Sequence, residues 1–143
     1  MSSVDRALLD TDTLSEVLKG VNANVLTKAK LYVAEHRVLT FTSVTVYEIL
    51  TGLEKNQMQA RAEAVKQVFR QNEEIVSESG DYELAAQVLG SLRRNGREVG
   101  YSDPLVAACA MRRGLAVVTG NQKHFRFIQE VGFELALEDW RNG

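Results

Sequence analysis

The sequence has 143 residues, 45% of them hydrophobic and 25% charged, which is the ordinary range for one globular domain with one core, so 1–143 is expected to fold as a single domain. Lys and Arg number 17 against 19 Asp and Glu, a formal charge of -2, so the overall charge gives no sign of nucleic-acid binding and only its distribution can decide. One cysteine, Cys109, and two widely separated histidines, His36 and His124, exclude an intrachain disulfide and a zinc site of the usual spacing. A metal would need oxygen ligands, which favour magnesium or manganese.

The start Met1-Ser2-Ser3-Val4-Asp5 lacks the basic and apolar regions of a signal peptide. Apolar runs such as Leu115 to Val118 are too short to cross a bilayer, so the expected compartment is the cytoplasm, with no membrane partner. Ala7-Leu8-Leu9 reads as a short buried strand ending at Asp10, after which Thr11-Asp12-Thr13 opens a helix with Leu14, Val17 and Leu18 on one face. A second helix is expected from Asn24 to Glu35 and a strand over Val38-Leu39-Thr40-Phe41. Ser43 is a candidate cap for a helix carrying Val46, Ile49, Leu50 and Leu53, with Glu48 inside it.

Helical spacing returns from about Gln57 to Asn72 and again through Ala85, Val88, Leu89 and Leu92 up to Asn95-Gly96. Ser102-Asp103-Pro104 offers a cap and a proline suited to a first helical turn, and the small residues that follow predict a tightly packed helix ending near Gly114. In that stretch Cys109 reads as a buried small hydrophobe. Leu115 to Thr119 reads as a buried strand, and Phe133 to Leu137 as a weaker final one. Strands separated by helices predict an α/β sandwich with a mainly parallel sheet, whose sites gather beyond the carboxyl ends of the strands. Asp10 and Asn121 both belong to that edge.

Asp10, Glu48 and Asp103 stand at element ends or between apolar neighbours, where a carboxylate is costly to desolvate unless paired or bound to a cation. For one such acid, helix capping is the simpler account; several together point to a shared divalent ion. Four stretches then carry a family resemblance: Leu8 to Glu16, Thr42 to Leu50, Gly96 to Ala108 and Val118 to Phe125 resemble, in order and spacing, the motifs of PIN-domain ribonucleases, the toxins of VapC-like toxin-antitoxin pairs.

The resemblance implies a PIN-like three-layer α/β/α sandwich. It also implies magnesium-dependent endonucleolytic cleavage of RNA, with Mn2+ an alternative ion, leaving a 5'-phosphate and a 3'-hydroxyl. Asp10, Glu48 and Asp103 would be the metal carboxylates, and Asn121 stands where many relatives have a fourth acid. An Asn oxygen can hold a metal-bound water but brings no charge, so a second ion is less assured. Asp12, Ser43 and Thr119 are candidates for supporting the site through waters or hydrogen bonds, each with capping or strand-end bonding as its ordinary alternative. His124 is read as RNA contact or loop packing rather than as a general base.

Arg93, Arg94, Arg97, Lys123 and Arg126 recur beside the acidic motifs as possible phosphate contacts, and Tyr101 as a residue that packs or stacks on a base. Kinship further implies a small cognate antitoxin and a homodimer, with Leu14, Val17, Leu18, Val25 and Leu31 facing either a partner or the core, core being the default. Two other readings stand beside this one. A PIN-fold binding module with little nuclease activity is left open by Asn121. Asp10-Thr11-Asp12-Thr13 also fits the D-x-D-x-T pattern of haloacid-dehalogenase-like phosphatases, but the lysine and acidic pair of that family have no counterpart downstream. The RNA target is not legible, because specificity depends on loop shape and transient base contacts.

Overall fold

The computed structural model describes residues 5–142; Met1 to Val4, the greater part of the opening tested for a signal peptide, and Gly143 lie outside the described residues. In chain order the elements are β1 (Ala7–Leu9), α1 (Thr11–Lys19), α2 (Ala23–His36), β2 (Thr40–Thr42), α3 (Ser43–Lys55), α4 (Gln59–Arg70), β3 (Glu73–Ile75), α5 (Ser79–Arg94), α6 (Ser102–Arg112), β4 (Ala116–Val118), α7 (Gln122–Glu130) and β5 (Leu137–Glu138). Among the described residues no helix is long and apolar enough to cross a membrane.

Successive residues of a strand point to opposite faces, and here that alternation splits the interior in two. Leu8 and Val117 face one core, shared with Val88 and Leu92 of α5, Val106 and Ala107 of α6, and Phe125 and Ile128 of α7. Ala7, Leu9, Ala116 and Val118 face the other, with Leu14 of α1, Val25 and Tyr32 of α2, Val65 and Phe69 of α4, and Trp140. The result is the expected α/β/α sandwich. Burying a side chain such as Leu8, Leu9 or Phe41 completely contributes about 1.5 to 3 kcal/mol.

The strand pairs β1–β4, β4–β5 and β2–β3 all run parallel and form a three-stranded sheet, β1-β4-β5, and a two-stranded one, β2-β3, with β2 lying beside β1 so that the spatial order is β3-β2-β1-β4-β5. From β1 the chain first builds outward through β2 and β3, then returns to add β4 and β5 on the other side. The crevice beyond the carboxyl ends of β1 and β4 is therefore the topological switch point, where such sheets place their ligands.

Several boundaries differ from the sequence reading for local reasons. Arg37 takes a positive φ of 73°, and the Leu39 amide donates to the Asn72 side chain instead of a strand neighbour, so β2 begins at Thr40 rather than Val38. The edge strand β3 was not foreseen, since Glu73-Glu74 shows no apolar alternation; it is tied down by a Thr40 hydroxyl bond to Glu73 at 2.6 Å. The final strand is shorter than expected and shifted, because Phe133 still donates to Ile128 at the end of α7 and ladder bonding resumes only at Ala136, whose carbonyl accepts from Val117. Gly114, at φ 67°, turns the chain out of α6 as its position predicts. Cys109 is buried, as expected, with its Sγ 3.5 Å from the Ser77 hydroxyl.

One buried charge cluster fastens α5 to α6. Asp81, with no exposed surface, receives hydrogen bonds from Arg112 Nη1 at 2.8 Å and from both Arg113 terminal nitrogens at 2.8 and 3.0 Å. Those bonds, Arg113's foremost, hold its carboxyl far below the usual carboxylate range despite burial. Its Oδ2 also accepts from the Glu78 amide, closing a capping box at the start of α5.

Candidate active site

At the switch point lies a cleft of about 150 Å³ lined by Asp10, Thr11, Asp12, Glu48, Ser102, Asp103, Val106 and Asn121. Five elements deliver these residues. Asp10 ends β1 and caps α1, its Oδ1 accepting from the Thr13 amide at 2.9 Å, so the capping and site readings of this acid hold together. Asp12 sits exposed in the first turn of α1, Asp103 in the first turn of α6, and Asn121 immediately before α7. Glu48 reaches in from α3, accepting from the Thr11 hydroxyl at 2.5 Å. Three helix N-termini thus converge on the acids, and their amide dipoles partly offset the clustered negative charge.

Burial leaves Asp10 only 5% exposed and pushes its pKa up to about 6; Asp12 adds repulsion, while the Thr119 hydroxyl and the Thr13 amide pull the other way. Asp103 is raised chiefly by burial as well, opposed by His124 and reinforced by Glu48 and Asp12. Among the described residues no Lys or Arg forms an ion pair with Asp10, Asp12, Glu48 or Asp103.

This oxygen-rich donor set, without a Lys or Arg partner among the described residues, suits a divalent cation. No three His, Cys, Asp or Glu side chains among the described residues stand close enough to form a ready-made ligand group. Magnesium does not need one, since it keeps several waters and takes one or two carboxylates. The carboxylates of Asp10, Asp12, Glu48 and Asp103 and the Asn121 amide all line the one cleft.

Behind the cleft, Thr119 is fully buried; besides its bond to Asp10, its Oγ1 accepts from the Asn121 amide at 2.9 Å. Ser43 does not do what its position suggested. Thr42 caps α3, its hydroxyl accepting from the Thr45 amide, and Ser43 is the first helical residue, without a hydrogen-bond partner for its side chain among the described residues. The hydroxyls that support Glu48 are Thr11 and, 3.0 Å from it, Thr45. Thr45 precedes Glu48 by three positions on one helix, a spacing that sequence alone could have flagged. Likewise Ser102 and Asp103 do not cap α6: the helix starts at Ser102 after Tyr101, with no side-chain cap.

His124 is closer to the site than the sequence suggested. Its Nδ1 lies 2.8 Å from Asn121 Nδ2 and 3.3 Å from Asp103 Oδ2. A neutral ring with bare Nδ1 accepts from the amide, whereas a protonated Nδ1 donates to the carboxylate; one nitrogen cannot do both. The signal was again helical spacing, three residues after Asn121 on α7.

None of the five basic candidates lines the cleft itself. Arg93 lies over the Tyr101 ring, 5.0 Å from its centroid, and Arg94 is exposed at the end of α5. Arg97 is stacked 4.0 Å from the Phe127 centroid and paired with Glu130 at 3.4 Å, so a phosphate would have to compete for it. Lys123 and Arg126 are exposed on α7. Of the apolar residues considered for a partner, Leu14 and Val25 are fully buried and Leu31 is 54% exposed.

The chain belongs to the PIN-domain family, whose PIN domain description matches residues 7–130. Within it, the chain is similar to VapC endonucleases along nearly its whole length. It is 34% identical over 138 residues to the tRNA(fMet)-specific endonuclease VapC of Shigella flexneri and 30% identical over 138 residues to that of Salmonella typhimurium, covering in each case 93% of this chain and 96% of the relative. The crystal structure of DNA-bound VapBC from Salmonella typhimurium superposes with a TM-score of 0.80 at 28% identity, over 96% of this chain and 99% of that one. The haloacid-dehalogenase-like alternative is thereby set aside.

Proposed function

We propose that this chain is the toxin of a VapBC-like pair, a cytoplasmic magnesium-dependent endoribonuclease that acts as a homodimer and is restrained by a small cognate antitoxin. The observation that carries the reading is the single cleft in which Asp10, Asp12, Glu48, Asp103 and Asn121 meet at the sheet's switch point. A magnesium ion there would supply electrostatic stabilisation of the phosphoryl oxygens and a water acidic enough to attack at neutral pH.

The chain's own residues hold that chemistry in place. Asp10 and Asp103 are the principal carboxylates, with Glu48 completing the set from α3. Thr119 fixes Asp10 and the Asn121 backbone together, and Thr11 orients Glu48. His124 Nδ1 meets the Asp103 carboxylate. The products are a 5'-phosphate and a 3'-hydroxyl. The names of the relatives support initiator transfer RNA as the substrate. Exposed apolar residues on the α1–α2 side, Val21 at 82% and Leu31 at 54%, support an antitoxin contact there.

The test is cleavage of purified initiator and elongator transfer RNAs with magnesium, manganese or chelator, with end-group analysis of the fragments. Cleavage of the initiator species that stops in chelator is expected. Undiminished cleavage in chelator, or none with either ion, overturns the reading.

A further inference from the structure

Gly120 stands between Thr119, which bonds Asp10, and Asn121, which lines the acidic cleft. Its φ lies outside the left-handed region, so the backbone there does not call for glycine. Arg141 does. A Cβ at position 120 would stand 2.7 Å from Arg141 Nη1, 2.9 Å from Cζ and 3.3 Å from Nε, so the guanidinium fills the space a side chain would take. The backbone of Arg141 is anchored on both sides: its amide donates to Asp139 Oδ1 at 3.0 Å, its carbonyl accepts from Asn24 Nδ2 at 2.8 Å, and Trp140 before it is buried. The side chain, 40% exposed, makes a single long hydrogen bond, 3.5 Å from Nη2 to Glu16 Oε1. The rest of its five N–H donors have no protein partner among the described residues.

This berth adjoins the cleft at two places. Glu16 follows Asp12 by four positions on α1, so both lie on one face, a single turn or about 5.4 Å of rise apart. Gly120 is the neighbour of Asn121. Asp12 and Asn121 line the cleft, so the guanidinium touches the chain one turn from the first and one residue from the second. No basic residue lines the cleft itself, and its acids repel a polyanion. A nucleic-acid strand that reaches the metal has to be held by cations at the edge, and Arg141 is fixed in place there with donors to spare. Its contact with Glu16 is too long and too exposed to contribute much by itself. Phosphate oxygens accept charge-assisted bonds from a guanidinium two at a time, which makes the carboxylate the weaker partner.

We infer that Arg141 is a substrate-binding residue that holds a backbone phosphate of the RNA at the edge of the acidic cleft, exchanging its contact with Glu16 for the phosphate oxygens. The inference rests on the ribonuclease reading and adds a cation that lies far from the acidic motifs in sequence.

The experiment uses the full chain with purified initiator and elongator transfer RNAs. Binding is measured in chelator over a series of potassium chloride concentrations, and cleavage in magnesium. The variants are Arg141→Ala, Arg141→Lys and Glu16→Gln, each with a thermal melt. Arg141→Ala should weaken binding and lower kcat/KM roughly tenfold, and should flatten the slope of log affinity against log salt by about 0.7 to 0.9, the signature of one lost phosphate contact. Arg141→Lys should restore the slope and part of the affinity. Glu16→Gln breaks the same ion pair but spares the arginine, so binding should stay level or tighten with the slope kept. If Arg141 only fastens the end of the chain to α1, Arg141→Ala and Glu16→Gln will weaken binding alike with the salt slope unchanged, and the inference falls. The Glu16→Gln result decides even where Arg141→Ala does not fold, because weaker binding by that variant also overturns the phosphate role. An Arg141→Ala protein with wild-type affinity, slope and kcat/KM removes Arg141 and leaves the ribonuclease intact. A wild-type protein that neither binds nor cleaves any transfer RNA defeats the ribonuclease reading and this residue's role with it.

Discussion

His124 Nδ1 lies 3.3 Å from Asp103 Oδ2, setting an imidazole from α7 against an acid from α6. Asp103 caps nothing, because α6 begins without a side-chain cap, so the carboxylate faces only the cleft and this ring.

Asp103→Asn should therefore abolish RNA cleavage and growth inhibition without unfolding the protein. The new amide can donate to His124 Nδ1, and the repulsion from Glu48 and Asp12 disappears. Without metal, the thermal midpoint should stay level or rise, with circular dichroism unchanged. A fully active variant would remove Asp103 from the chemistry.

Asp10 yields a pH prediction whose sign runs against the usual carboxylate. Its folded pKa, about 6, is above the ordinary value of 3.8, so the folded state holds the proton more tightly than the unfolded one. Stability from this group is full below about pH 4 and is lost as pH rises through 6. Asp10→Asn retains the capping oxygen and should stabilise the metal-free protein at pH 7 by on the order of 2 to 3 kcal/mol, a gain that vanishes near pH 4. Urea titrations at the two pH values measure it; equal gains at both would mean burial does not set this carboxyl's titration. Activity should be lost throughout.

Thr119→Val and Ser43→Ala should behave oppositely. The first removes the acceptor for the Asn121 amide and a donor to Asp10, costing about 1 to 3 kcal/mol and most of the cleavage rate. The second touches no hydrogen bond and should leave kcat/KM within about twofold. A damaging Ser43→Ala would restore that serine to the site.

Asp81→Ala should cost about 3 kcal/mol, because it strands two arginines around a buried vacancy and opens the capping box of α5. Chemical denaturation reads the loss directly. Where the variant remains folded, RNA cleavage should persist, since Asp81 lies outside the cleft. A stability equal to wild type would mean that the cluster contributes nothing beyond its own desolvation.

Most of the architecture was legible because it rests on long-range patterns that survive in a linear string. β1 and β4 were visible as buried apolar runs and β2 as part of a strand over Val38 to Phe41, and Asp10, Glu48, Asp103 and Asn121 stood out by type and position; all four line the cleft. What escaped depends on who bonds whom. Glu73–Ile75 has no apolar rhythm because it is a mostly exposed strand, held to β2 by its backbone and by the Thr40 hydroxyl bond to Glu73. Thr42 and Ser43 are equally good caps on paper, and only the backbone at Thr42, extended at ψ 162°, decides between them. His124 looked ordinary because the carboxylate it meets lies on another helix.

Because β1 is zipped to β4, with the Asp10 amide bonded to the Val118 carbonyl, a chain growing on the ribosome displays its first acid long before Thr119 and Asn121 have been translated. Asp103 and His124 also come late. A half-made copy thus lacks Asp103, Thr119 and Asn121, part of what surrounds Asp10. The complete set of cleft residues therefore exists only after the last stretch of synthesis, so on the proposed reading the whole of translation passes before the site can form.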